Sequence, residues 1–453
     1  MKTFRSFYSL LSVLLLVLLG LLLPTSCAED FDFGKEKHGK KNKETKKYPA
    51  HVAMEWLTLH VVKLTRTTPG YNGLLANRSF GYAGLVLYES VVPGMKGYQS
   101  LASQLNGMPN MPGTDDKLAY HWPTSANAAL AAISRSLFPN TAANNITIDS
   151  LEAAYNERYQ QEVSVGTFNR SVAFGQEVAA AIFEWSKTDG GHEAYLYNTD
   201  DSYVPPTGDG LWIPTPPAFA QPLQPYWGTH RPFIPGNVTN SQPGAPLAYS
   251  EDPSSPFYVA AYEVYTISQS LTAEQTTIAK YWNDSPVTYN VPGHATHILT
   301  QILLLKKGNL ADAAVAYAKH GVAMSDASIS TFNTKFQYHL IRPISYIRSV
   351  LNQPDWNSLL ITPPFPEYTS AHATVSGASA EVLNALFGNK YSFTDRSYKD
   401  LFGARTYASF NAYAEEAALS RIYGGIHYRF SCEIGLVQGK MVGQAVNQLR
   451  FKK

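Results

Sequence analysis

From residue 50 to the C-terminus, apolar side chains recur every three or four positions, and the two-residue alternation of half-buried strands is almost absent. A chain patterned in this way buries stripes rather than sheet faces, so it folds as packed α-helices. The spacing predicts helices over 52–66 and 74–91, the second closed by Pro93-Gly94. Two more are predicted over 125–137, with Ser125 as cap, and over 149–163, where Glu152 follows Asp149 by three positions. An Ala-rich helix over 171–187 closes at Asp189-Gly-Gly191. Later helices are predicted over 256–271, 272–284 (Thr272 capping, Gln275 three on), 292–307, 309–325 and 328–340.

Residues 200–256 interrupt the pattern and hold 13 of the chain's 28 prolines. Trp212, Phe219, Tyr226, Trp227 and Phe233 lie among them, and a disordered linker is poorer in aromatics. The stretch therefore reads as an ordered loop wrapped over the helical body and shaping the approach to a site. It also marks a boundary between an N-terminal helical half, 50–256, and a C-terminal half, 257–453.

Residues 1–27 read as a secretion signal: Lys2 and Arg5 precede an apolar run from Leu10 to Leu23. That run falls short of the roughly 20 residues a spanning helix needs. Leu23-Pro-Thr-Ser-Cys27 resembles a bacterial lipoprotein signal with Cys27 as the lipidated residue, ordinary cleavage near Cys27 being the alternative. Ala28-Glu29-Asp30 resembles the acidic tag that sends some Gram-negative lipoproteins to the cell surface. The expectation is an exported outer-membrane lipoprotein, periplasmic or cell-surface, with 28–49 as a charged tether. The net charge of +1 offers no wider basic field, which argues against a nucleic-acid partner. A membrane is reached only through the lipid anchor, since no later apolar stretch approaches spanning length. With Cys27 lipidated, Cys432 is the only thiol left, read as a small buried apolar residue.

The chemistry concentrates between residues 335 and 431, in three stretches. Lys335-Phe-Gln-Tyr-His-Leu-Ile-Arg342-Pro343 places two cations about two helical turns apart amid apolar neighbours. The pattern predicts one buried helix through both, with Arg342 at its C-terminal edge and Pro343 ending it. Buried cations require an anion. Pro363-Pro-Phe-Pro366-Glu-Tyr-Thr-Ser370-Ala371-His372 is a stiff extended approach to a small-residue helix that Ser370 caps, and a helix N-terminus attracts anions. Ser420-Arg421-Ile-Tyr-Gly-Gly-Ile-His427 reads as the end of a helix over 415–423, broken at Gly424-Gly425, with His427 just beyond and a closing helix over 434–449. Alone, each is compatible with an ordinary capped or solvated element. Together they supply three fixed cations, two imidazoles, a hydroxyl and a helix N-terminus, the inventory of an oxyanion site. His294 and His297 share a helical face without an acidic or Cys partner at ligand spacing, and HExxH is absent, so they read as structural or site-lining rather than as a metal pair.

The order Lys-x6-Arg-Pro, Ser-x-His, Ser-Arg-x5-His resembles the superfamily that joins type 2 phosphatidic acid phosphatases, bacterial class A acid phosphatases and vanadium-dependent haloperoxidases. Membrane phosphatases of this group carry several spanning helices, and its soluble acid phosphatases have little chain before the first motif. The long N-terminal helical half is most similar to a vanadium haloperoxidase. The resemblance implies an all-α fold, a large helical bundle of the vanadium haloperoxidase / acid phosphatase type. It implies vanadate as cofactor, with hydrogen peroxide and halide as small-molecule substrates. His427 would coordinate vanadium axially, while Lys335, Arg342 and Arg421 neutralise the equatorial oxygens. Ser370 and the Ala371 amide would donate further hydrogen bonds, and His372 would be the acid–base on the opposite side. Two positions depart from the pattern: Ala371 stands where Gly is usual, and Ser431 where an Asp usually orients the axial His, leaving Glu433 as a substitute carboxylate. The alternatives are a phosphomonoesterase that uses the same residues through phospho-His427, and a non-catalytic oxyanion-binding surface lipoprotein.

Overall fold

Capping residues set the helix ends, and most predicted helices form within a few residues of their expected spans. The computed structural model describes residues 43–284 and 289–453. The signal, Cys27 and most of the tether lie outside the described residues. In the N-terminal half, α1 (His51–Leu59) runs on through a wider π turn over His60–Leu64. It is followed by α2 (Gly73–Val91), α3 (Trp122–Leu137), α4 (Ala142–Gln160) and α5 (Val165–Ser186). In the C-terminal half come α6 (Pro256–Gln269), α7 (Ala273–Tyr281), α8 (Val291–Leu305), α9 (Leu310–Tyr338) and α10 (Pro343–Ser349). The last three are α11 (Ala371–Phe387), α12 (Phe410–Tyr423) and α13 (Arg429–Asn447). A short antiparallel pair, β1 (Phe393–Asp395) and β2 (Arg405–Tyr407), forms the sheet among the described residues.

Several boundaries correct the sequence reading. Ser125 is not a cap: Pro123 fits the first turn of α3, so the helix opens at Trp122 and Ser125 lies buried inside it. Helix α4 begins seven residues before Asp149, capped by Thr141, whose side chain accepts from the Asn144 amide. Ser325, Asp326 and Ser328 do not break the chain into two helices; α9 runs through them for 29 residues. Asp326 turns to the proline-rich loop, and Ser328 Oγ, while donating back to Ser325 O at 2.7 Å, also accepts from that loop, so neither breaks the helix. Asp326 accepts from the Phe233 amide at 2.7 Å, the Ile234 amide at 3.1 Å and Asn237 Nδ2 at 2.9 Å, and Trp227 Nε1 donates to Ser328 at 3.1 Å. The capping box of Thr272 with Gln275 is present as predicted.

Helix α9 is the central element, packed along α2 on one side and against α11 and α13 on another. One continuous apolar cluster runs from Tyr48 to Phe451. Each aliphatic side chain fully buried there contributes about 1.5–3 kcal/mol. A second cluster, including Phe257, Ile341, Tyr346, Tyr368, Ile422, Tyr428 and Cys432, beds the three chemical stretches. Cys432 is buried and free, as its apolar reading predicts. The proline-rich loop is ordered and backs this region. Leu223 N donates to Pro364 O at 2.8 Å, Ile341 N to Gly210 O at 2.9 Å, and Tyr368 Oη to Gly244 O at 2.8 Å. No helix among the described residues is long and apolar enough to cross a membrane.

Candidate active site

The three stretches converge. Lys335 sits in the last turn of α9, fully buried, with Nζ donating to the carbonyls of Pro366 at 3.0 Å and Glu367 at 2.9 Å. It thereby ties the extended 363–370 segment to the helix. Arg342 departs from prediction. Helix α9 ends at Tyr338, where His339 takes a left-handed conformation (φ 48°), and Pro343 opens α10 instead of closing α9. Arg342 is therefore the N-cap of α10, since the fixed φ of proline suits a first helical turn. Its Nε donates to Phe365 O at 2.9 Å and its Nη1 to Ile426 O at 2.8 Å, while Nη1 also reaches His427 Nε2 at 3.2 Å.

Ser370 is the N-cap of α11, as predicted, its hydroxyl accepting from the Ala373 amide at 3.5 Å and its own amide donating to Ser431 O at 3.3 Å. Ala371, at the first helical position, and His372 are partly exposed. First-turn amides have no acceptor within their own helix and face outward as donors. The registry of α11 on α13 depends on close approach: a Cβ at Gly439 would collide with Thr374 O. The same contact sets Ser370 beside the start of α13.

Arg421 lies in the last turn of α12 and donates through Nη1 to Trp282 O at 2.7 Å. Gly425 turns the chain with φ +76°, a conformation that glycine adopts without strain, and this brings His427 back to the site. Helix α13 begins at Arg429, five residues before its predicted start. His427 Nδ1 lies 2.7 Å from Glu367 Oε1, which also accepts from the Tyr428 amide at 3.0 Å.

Glu367 is the residue the sequence reading missed. It supplies the carboxylate expected at position 431, from 60 residues upstream of His427. Ser431 Oγ lies beside Glu367 without a well-formed hydrogen bond, and Glu433 is exposed, so Glu433 is not the substitute. The available signal was a lone acid wedged between Pro366 and Tyr368 in a segment otherwise destined for burial.

Electrostatics assign the protonation states. Burial pushes the Glu367 carboxyl up to about 7, against the pull of Arg342 and Lys335. Burial, with Arg342, Lys335 and Arg421 close by, holds His427 well below the ordinary imidazole range, so it is neutral. With Nδ1–H committed to Glu367, the lone pair sits on Nε2, where Arg342 points a donor. His372 is likewise held low by burial, Arg421 and His294, although a backbone hydrogen bond with Trp282 favours its charged form. Its Nε2 stands 3.7 Å from Asp284 Oδ2. Burial and the neighbouring Arg342 lower Lys335 from its usual value.

Arg342 Nη2, Arg421 Nε and His372 Nε2 are buried without hydrogen-bond partners among the described residues. Unpaired buried guanidinium donors are costly, and an anion that accepts from them relieves that cost. Arg342 and Lys335 face the carboxylate of Glu367, and Arg421 faces Asp284 at the edge, so three cations against two carboxylates fit an added oxyanion. Vanadate matches both this charge and the lone pair on His427. His294 and His297 do not join the site: His294 bridges two carboxylates, and His297 Nδ1 pairs with Ser397 Oγ at 2.9 Å. No group of three metal-ligating side chains occurs among the described residues.

Comparison with known proteins bears on the family and the fold. Residues 315–452 match the family described as the VCPO second helical-bundle domain. A solved structure described as the first bacterial vanadium-dependent iodoperoxidase is 32% identical, with a TM-score of 0.77 over 88% of this chain and 96% of that one. The apo and holo forms of a bacterial vanadium-dependent chloroperoxidase are 14% identical with a TM-score of 0.65, covering 91% of this chain and 98% of theirs, and they support the fold alone. No curated protein sequence matches. The identity and coverage shared with the iodoperoxidase place the chain in the vanadium-dependent haloperoxidase family.

Proposed function

We propose that the chain oxidises halide with hydrogen peroxide at vanadate held on His427. The balanced reaction consumes one halide, one peroxide and one proton and yields hypohalous acid and water. The observation that carries this reading is the neutral His427, its Nδ1–H held by Glu367 and its Nε2 lone pair turned toward Arg342, with Arg342 Nη2 and Arg421 Nε left unpartnered. His427 Nε2 would hold the vanadium. Arg342, Arg421 and Lys335 would neutralise its oxygens, and Ser370 with the Ala371 amide would donate to them. Bound there, vanadate supplies electrophilic activation of hydrogen peroxide toward two-electron oxidation of halide. His372, partly exposed and neutral, is suited to take a proton from incoming peroxide and return it. Likeness to an iodoperoxidase makes iodide the halide of choice. Export and a lipid anchor at Cys27 complete the proposal, and mass spectrometry of the N-terminal peptide tests them.

The functional test purifies the full chain free of phosphate, adds orthovanadate and follows iodide and bromide oxidation by peroxide. Hydrolysis of p-nitrophenyl phosphate by the vanadate-free protein is measured alongside. Vanadate-dependent halide oxidation is the expected result. Phosphate-ester turnover without it would make the chain a phosphatase, and tight vanadate binding with neither activity would make it a binding protein.

A further inference from the structure

Beside His372 lies a second buried cluster that the proposed chemistry does not use. His294, on α8, is fully buried with a carboxylate on each ring nitrogen: Asp284 Oδ1 at 2.9 Å from Nδ1 and Asp395 Oδ2 at 2.7 Å from Nε2. Two acceptors demand two donors, which only the imidazolium provides. Burial opposes that charge, but Asp284 and Asp395 outweigh it and hold the His294 pKa up to about 10.

The two carboxylates differ in how fully they are used. Asp395 is saturated: Oδ2 also accepts from Tyr281 Oη, and Oδ1 accepts from Gln301 Nε2 at 3.0 Å, the Ser397 amide at 2.9 Å and Ser397 Oγ at 2.6 Å. Asp284 Oδ1 accepts from His294 and from Tyr398 Oη at 2.8 Å. Asp284 Oδ2, however, has no hydrogen-bond partner among the described residues and faces His372 Nε2, itself unpartnered. A buried carboxylate oxygen left open beside an open imidazole nitrogen is not a packing requirement.

We propose that His294 is a positioning residue for His372: charged and clamped between Asp395 and Asp284, it fixes Asp284 with one open oxygen toward His372 and sets the net charge presented there. This rests on the reading of His372 as the acid–base of the site. The cluster sums to one negative charge, from −1, +1 and −1. Other charged and titratable groups facing His372 are Arg421, Lys335 and His427, while Tyr281, Tyr289, Tyr398 and His297 surround His294.

Charge arithmetic gives the test. His294→Gln leaves a cluster of −2, Asp395→Asn a cluster of 0, and the double variant restores −1. Histidine ring resonances of the full, vanadate-free, 13C-histidine-labelled chain are followed against pH, with that of His372 identified by its loss in His372→Ala. The His372 midpoint rises by about one pH unit in His294→Gln, falls in Asp395→Asn and returns close to wild type in the double variant. A midpoint that stays fixed in all three, or moves the same way in all three, overturns the proposal. If His294→Gln fails to fold, the remaining pair still decides, because the double variant must titrate above Asp395→Asn. The measurement needs no vanadate or halide, so its outcome stands apart from that of the halide-oxidation assay.

Discussion

Two buried histidines in the same fold hold opposite charge states. His427 touches one carboxylate, Glu367, and is ringed by Arg342, Lys335 and Arg421, so it is neutral with a lone pair exposed to the site. His294 touches two carboxylates and is pushed up to about 10, so it is charged. Burial opposes the charged form at both, and the count and sign of neighbours decide the outcome. The surroundings differ in the same sense. Around His294 most polar atoms are paired, whereas around His427 guanidinium donors are left open. A mostly paired polar cluster fixes structure, and guanidinium donors left open await a ligand.

The largest effect is expected at His427. His427→Ala should abolish vanadate-dependent halide oxidation, a loss of at least about a thousandfold, because it removes the Nε2 lone pair that Arg342 faces. Retained activity in a steady-state assay would break the comparison at its root. Next comes Glu367→Gln, which keeps an acceptor for Nδ1 but removes the charge. Vanadate affinity, read by activity titration, should fall about 10- to 100-fold, the usual scale for a partner that orients a metal-bound imidazole.

A third expectation concerns stability. His294 binds its proton more tightly folded than unfolded, so its contribution is complete below about pH 6.5 and is lost as pH rises toward about 10. Asp395 is held below its ordinary value of 3.8, and its contribution is therefore lost toward acid. His294→Gln should cost about 3–5 kcal/mol near pH 5–6 and distinctly less at pH 9, as measured by denaturant unfolding. Smallest are Ser431→Ala, about twofold or less in vanadate affinity, and Glu433→Gln, with no change. A large loss in either would return the orienting role to α13.

Much of this was legible in the sequence, from local spacing for the helices and from the order of the three motifs for the site. The helices, the capping role of Ser370 and the turn at Gly424-Gly425 follow from short-range patterns, while the company of Lys335, Arg342, Arg421, His372 and His427 follows from the family resemblance that the order of their three motifs carries. What was not legible depends on contacts between distant segments. Glu367 reaches His427 only because the 363–370 segment is pinned beneath α9 by Lys335. Asp326 looked like a helix break because its partners, Phe233 to Asn237, lie some 90 positions away. Arg342 was placed on the wrong helix because proline both ends and begins helices, and spacing alone does not choose between them.

The central claim is that His427 Nε2 is the protein atom that meets vanadium. Vanadium K-edge absorption of the vanadate-loaded full chain, wild type against His427→Ala, tests it most directly. A nitrogen scattering contribution present in wild type and absent in the variant is the predicted result. Oxygen-only coordination in the wild type, or nitrogen retained in His427→Ala, would contradict the account.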